Sequence, residues 1–250
     1  MRRLKKPVQL ILMFIVLVAA VGATEYRRQK RVCTQVMVSI EDREMDAFVN
    51  EREVRGLVSQ EDRPITGLPL MSLDLKQLEQ QVEKNPYVEQ ANVYYDLEGK
   101  VHVTIRQSHP MARLIHHKSA DAYVSASGQL LPLSNQHTAR VMLVSGDYVP
   151  KLLQGNWEQD STKAQFLSLI RYIEKDDFWR AQIAQMDIDQ DGEVTLYPQV
   201  GKQTIQFGTP TDISKKFHKL ELFYQQILPR KGWNHYDWVN VKYENQIVCD

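Results

Sequence analysis

LDLKQLEQQVEKNPYVEQANVYYDLEGKVHVTIRQSHPMARL, running from Leu73 to Leu114, is the stretch from which the fold can be read. Leu73-Asp74 opens a helix, because Leu75, Leu78 and Val82 recur at helical spacing while Lys76, Glu79 and Lys84 lie elsewhere on the cylinder. Asn85-Pro86 stops it, since proline biases the preceding residue away from helical backbone. Tyr87 to Leu97 and Lys100 to Gln107 then form a hairpin around Glu98-Gly99. Val101, Val103 and Ile105 alternate with His102, Thr104 and Arg106, the period of a half-buried strand. On the amino side, Val32 to Ile40 alternates as a strand, with Val36, Val38 and Ile40 on one side. Glu44 to Val58 places Phe48, Val54, Leu57 and Val58 at helical spacing, and Pro64, Gly67 and Pro69 mark a loop. Strand, helix, helix, strand, strand predicts a small α+β layer over residues 32–107, with two helices on one face of a three-stranded sheet.

A second unit is expected over residues 108–250. Met111 to His116, Ala122 to Ser125, Gln129 to Leu133 and Val141 to Val144 read as strands, with Ser127-Gly128 turning between the second and third. Ser161 to Lys175 is a helix whose Phe166, Leu169, Ile170 and Ile173 face inward. Ile183 to Asp187, Glu193 to Pro198 and Gln203 to Phe207 are strands again. The chain closes with an amphipathic helix and a strand. Thr209-Pro210-Thr211-Asp212 resembles a helix start, with Thr209 as N-cap and Pro210 in the first helical position. Ile213, Phe217, Leu220, Tyr224 and Ile227 share one face, Lys215, Lys216 and Lys219 another, and Pro229 ends the helix. From Trp238 to Val248 the period is two, with Val239, Val241, Tyr243 and Ile247 on one face and Asn240, Lys242, Glu244 and Gln246 on the other. This last strand is either a sheet edge or a strand buried between two others, and an uncovered edge offers unpaired backbone groups to a partner.

Residues 1–6 carry Arg2, Arg3, Lys5 and Lys6, and Pro7 to Thr24 holds no charged residue. That run is near the lower limit, roughly 17 residues, for a membrane-spanning helix and exceeds the usual core of a signal peptide. An anchor over residues 7–24 is expected, with cleavage after Ala23 the alternative. Arg27, Arg28, Lys30 and Arg31 flank the far end, so charge asymmetry leaves the orientation open.

Formal net charge is zero, which removes the electrostatic case for nucleic acid. Cys33 and Cys249 are too few for a disulfide framework and read as unpaired thiols. Asp187-Ile188-Asp189-Gln190-Asp191-Gly192 matches the first half of a calcium loop, but the twelfth position, where a bidentate carboxylate is needed, is Pro198. An acidic hairpin turn is the expectation. His116 and His117, adjacent on a strand, would face opposite ways and so not share one site, and a surface placement is expected for both and for His109. No nucleophile elbow, phosphate loop or metalloprotease motif is present, and neither cofactor, metal nor small-molecule substrate is expected.

The helix, Asn85-Pro86-Tyr87-Val88, the hairpin and Pro110-Met111-Ala112 resemble a POTRA domain of the FtsQ/DivIB family of bacterial division proteins. Gly208, Lys219-Leu220 and Asn240-Val241-Lys242-Tyr243 resemble the closing pattern of that family's β-domain, with Lys242 where the family often has arginine and Asn245-Gln246 in place of small residues. The resemblance implies a cytoplasmic tail, a single inner-membrane helix, periplasmic POTRA and β-domains, the division site, and recruitment rather than catalysis. It also implies FtsB and FtsL as partners. A segment of FtsB would then pair with the backbone of Lys242, Tyr243, Glu244, Asn245, Gln246, Ile247 and Val248, and Lys215, Lys216 and Lys219 would form the second contact surface. The alternatives are a secreted periplasmic domain or enzyme, and a POTRA-bearing secretion accessory.

Overall fold

Residues 11, 13–20, 22, 30–41, 48–59, 64–117, 119–135 and 137–250 are described by a computed structural model of the chain. They fall into two units, Met1–Gln107 and Ser108–Asp250. In the first, strand β1 (Gln35–Ile40) leads to helix α1 (Glu51–Ser59), helix α2 (Leu75–Val82) and the hairpin of β2 (Val88–Tyr95) and β3 (Lys100–Gln107). β3 is central, parallel to β1 and antiparallel to β2. Its alternate residues Val101, Val103 and Ile105 are fully buried, as are Val54 and Val58 of α1 and Val82 of α2. Asp74 caps α2 by accepting from the Gln77 backbone N–H at 3.0 Å. The outer edge of β2 is blunted by that same helix. Glu83 and Glu79 accept from the backbone N–H groups of Ala91 (3.1 Å) and Val93 (2.9 Å), donors that an open edge would leave to a stranger.

The helix expected from Glu44 begins at Glu51 instead, because Asn50 accepts from the Glu53 N–H at 2.9 Å and sets the start there. Phe48 precedes it and stacks on Tyr87, ring centroids 4.5 Å apart; residues 42–47 lie outside the described ones. Ile11, residues 13–20 and Gly22 are helical, with apolar side chains such as Phe14 exposed. Among the described residues no helix is long and apolar enough to cross a membrane. The expected anchor also takes in residues 7–10, 12, 21, 23 and 24, which are outside them.

The second unit is one mixed sheet of nine strands with helices. Its elements are β4 (Pro110–Leu114), β5 (Ala122–Ser125), β6 (Leu130–Pro132), β7 (Met142–Ser145), α3 (Val149–Leu152), α4 (Ser161–Lys175), α5 (Asp177–Gln182), β8 (Ile183–Ile188), β9 (Val194–Pro198), β10 (Thr204–Gly208), α6 (Ile213–Leu222), a π turn (Phe223–Ile227), α7 (Leu228–Lys231), β11 (Trp238–Asn240) and β12 (Val248–Cys249). The order across the sheet is β12-β11-β10-β9-β8-β7-β4-β5-β6. β7 to β8 and β10 to β11 are parallel pairs, so each needs a crossover, and α4 and α6 supply them. Phe166, Leu169, Ile170 and Ile173 of α4 join Phe217 and Leu220 of α6 and the inward strand residues Val144, Met186, Leu196, Phe207 and Val239 in one core. Burial of each such side chain contributes about 1.5–3 kcal/mol.

Local chemistry moves several boundaries. Thr209-Pro210-Thr211 is a turn, with the Thr211 N–H on the Thr209 carbonyl at 2.8 Å, and Asp212 adopts left-handed backbone (φ 49) before α6 starts at Ile213. The N-cap position is therefore Asp212, not the expected Thr209. Pro229 does not end the helix. The π turn precedes it, so Pro229 falls in the first turn of α7, where its missing N–H is tolerated, and Gly232 (φ 102) ends the run.

The long closing strand is the largest difference. Strand structure stops at Asn240 and resumes at Val248, the two pieces pairing antiparallel as β11 and β12. Asn240 accepts from the Lys242 N–H at 2.9 Å and bends the chain, and Asn245 takes left-handed backbone (φ 60), which asparagine tolerates. Tyr243, expected to face inward with Val239 and Val241, is 53% exposed on the resulting turn.

Candidate functional site

β12 ends the nine-stranded sheet. Trp238 and Asp250 exchange both backbone hydrogen bonds, at 3.1 and 3.3 Å. Bonded and non-bonded pairs alternate along an antiparallel ladder, so the next pair, Val239 with Cys249, is non-bonded. The N–H and C=O of Cys249 therefore point away from β11, to the outer side. This is the edge the sequence led one to expect. It is carried by Val248–Cys249, and Lys242 to Ile247 form the loop that delivers it.

Beside this edge runs an open groove of ≈ 980 Å³ between α6 and that loop. Lys215, Lys216, Lys219 and Lys242 line it, against Asp212 and Glu244. The lysines differ in what they do. Lys215 lies outward and pairs with Asp212 at 3.1 Å, a hydrogen bond that raises its pKa. Lys216, expected on the open face, is only 6% exposed. Its Nζ donates to the Thr209 carbonyl at 2.6 Å and lies 4.8 Å above the Phe207 ring, and burial pushes its pKa down. Lys219 folds back across the groove and donates to the carbonyls of Val241 (2.5 Å) and Tyr243 (2.6 Å), fastening the turn to α6. Burial lowers its pKa as well. Lys242 reaches Glu193 at 2.8 Å, which raises its pKa.

Gly208 makes that last reach possible. A Cβ there would sit 2.6 Å from the Lys242 side chain, and its φ of 75 suits glycine. So the three lysines expected to form one contact surface split: Lys215 is outward, as is Lys242 of the closing segment, while Lys216 and Lys219 hold the site's frame. Tyr243, Glu244, Asn245 and Gln246 are all exposed on the turn, Ile247 is half-buried, and Val248 is 37% exposed.

Three matches to known proteins bear on this arrangement. Residues 109–250 match the model of the family described as FtsQ/DivIB, C-terminal related. The chain belongs to that family. Residues 31–106 match a POTRA-like domain, the unit read from the Leu73 to Leu114 stretch. A relative, the cell division protein FtsQ of Syntrophotalea carbinolica, is 25% identical over 180 residues, 70% of this chain and 62% of that protein. The chain thus aligns to less than two thirds of the length of the relative it matches.

Other sequence candidates resolve differently. Of Asp187 to Gly192, Asp187 and Ile188 end β8 and the rest turn toward β9; Asp189 accepts from the N–H groups of Asp191 and Glu193, both at 2.9 Å, while Asp187 accepts from Ser145 at 2.5 Å. These carboxylates serve the turn and the neighbouring strand. His116 and His117 lie beyond the end of β4, so the strand argument for opposite directions does not apply; their rings are 4.5 Å apart. Cys33 and Cys249 are both free thiols.

Proposed function

We propose that this chain is a non-catalytic, single-pass scaffold of the bacterial division machinery in the inner membrane. Residues 1–6 form its cytoplasmic tail, Pro7 to Thr24 its anchor, and the POTRA-like and β-domains stand in the periplasm at the division site. The named role of its relative, a cell division protein, supports the cellular process. The mechanism rests on one observation, a sheet that ends in β12 with the Cys249 N–H and C=O turned outward beside the lysine groove. A segment of FtsB, in a complex that includes FtsL, adds as a further strand along Val248–Cys249. Its backbone provides affinity, and Lys215, Lys242, Tyr243 and Glu244 set register and charge preference. Lys216 and Lys219 act by holding the turn in place. A photo-crosslinking amino acid in place of Val248 is the direct test. Capture of FtsB in dividing cells supports strand addition, and capture only from a position on β6, the opposite edge, overturns it.

A further inference from the structure

Helix α6 has a second groove on its other flank, of opposite character. Its floor and walls are aromatic and continuous. Tyr172 of α4 stacks on Phe217 (ring centroids 4.7 Å apart), Phe217 meets Trp179 of α5 (4.9 Å), Trp179 meets Tyr224 (5.6 Å), and Tyr224 meets Trp233 (5.9 Å). Phe178 adds an edge-on contact to Trp179 at 4.8 Å. Phe217, Trp179 and Tyr224 are buried and Tyr172 is half-buried, but Phe178 and Trp233 are 49% and 43% exposed on the walls of the same groove, which encloses ≈ 670 Å³. Isolated exposed aromatics need no explanation; two that flank one recess over a shared aromatic floor form a recognition surface.

Charge identifies the occupant. Among the described residues no lysine or arginine lines this groove, whereas Asp176 and Glu221 do. The Asp176 carboxylate is fixed in place by the N–H groups of Phe178 (2.9 Å) and Trp179 (3.1 Å), and Glu221 is steadied by Gln225 at 3.0 Å. Aromatic faces beside fixed carboxylates attract a cation, and a planar guanidinium both stacks on rings and donates to carboxylates, which an ammonium does less well. We propose that this groove docks an arginine-bearing, otherwise apolar segment of a partner protein. The groove across α6 carries four lysines against Asp212 and Glu244, so the two flanks of one helix differ in charge. The proposal uses neither the β12 edge nor the division reading.

Fluorine NMR of the full chain, labelled with fluorotryptophan and held in a neutral maltoside detergent, tests it. The probe is a peptide of alternating arginine and leucine, compared with the same peptide carrying citrulline, which keeps the shape and loses the charge. Binding should shift the Trp179 and Trp233 signals and leave fully buried Trp157 unmoved. The citrulline peptide should bind about tenfold more weakly. Trp233→Ala and Glu221→Gln, both at exposed positions, should each weaken the arginine peptide several-fold without changing the unfolding temperature. Equal binding of the two peptides overturns the proposal, as do unmoved Trp179 and Trp233 signals or full affinity in both variants.

Discussion

Replacing Cys249 by proline separates strand addition from every other way of using this face. The ladder pattern places the Cys249 N–H outward, while those of Val248 and Asp250 face β11. Proline at Cys249 thus deletes one donor available to a partner and leaves the β11–β12 bonds intact, the situation in which edge strands accept proline. Val248 is already extended, as a residue before proline prefers. The half-buried thiol is small, so the cost to folding should stay below about 1 kcal/mol. A partner strand loses one backbone bond, and its carbonyl is left facing the pyrrolidine ring, a penalty of about 1–3 kcal/mol. That is about a 5- to 150-fold rise in Kd. Cys249→Ala keeps the donor and should bind within about twofold of the parent.

Val248→Pro is the internal contrast. It removes a donor aimed at Asn240, so it should open β12 and lower stability as well as binding. The assay is titration of the full chain with a labelled FtsB segment, with thermal unfolding run in parallel. If Cys249→Pro remains folded and binds as the parent does, strand addition at β12 is refuted. If proline there proves disruptive, an ester link at Cys249, introduced by ligating a synthetic C-terminal segment, removes the N–H alone, and unchanged binding by that protein refutes it equally.

Lys219→Met removes the two donors that hold the Val241 and Tyr243 carbonyls, and should cost about 1–3 kcal/mol. Amide exchange at residues 241–247 should accelerate more than in the rest of the second unit; uniform exchange would deny Lys219 this fastening role. In the first unit, the Asp96 carboxyl is held at about 2, first by the hydrogen bond from His102 (2.9 Å) and then by the Lys100 N–H. Its folded pKa lies below the ordinary 3.8, so its contribution to stability is complete above 3.8 and is lost as pH falls through about 2. His102→Leu should move the Asp96 titration midpoint, followed by carbon NMR of the carboxyl, upward toward 3.8; an unmoved midpoint would place the cause in the backbone bonds.

Regular periodicity over several residues was legible in this sequence, and single-residue chemistry decided what was not. α4 spans the predicted Ser161–Lys175 because a capped amphipathic helix has both its period and its start signal on the surface of the text. The β3 alternation was equally plain. The closing segment misled because period two persists through Tyr243 and Glu244 whether the chain runs straight or turns. Two asparagines settle it: Asn240 begins the bend, and Asn245 accepts left-handed backbone. Both are visible residues with a known bias, yet that bias competes with strand propensity and wins only when another element holds the turn, as Lys219 does here from α6. Lys216 failed for a related reason. A helical wheel places it outside, but its stem lies along Phe207 and its charge finds a carbonyl, a use of lysine that polarity alone does not reveal.

The aromatic groove was out of reach for a different cause: Tyr172, Trp179, Phe217 and Trp233 come from separate elements, and only the two crossovers bring them together. The edge itself was anticipated, though in the wrong residues. Moving it from Lys242–Val248 to Val248–Cys249 changes which backbone donor a partner meets. Gln246 now lies in the loop, so a proline there tests the turn, and only Cys249 tests the edge.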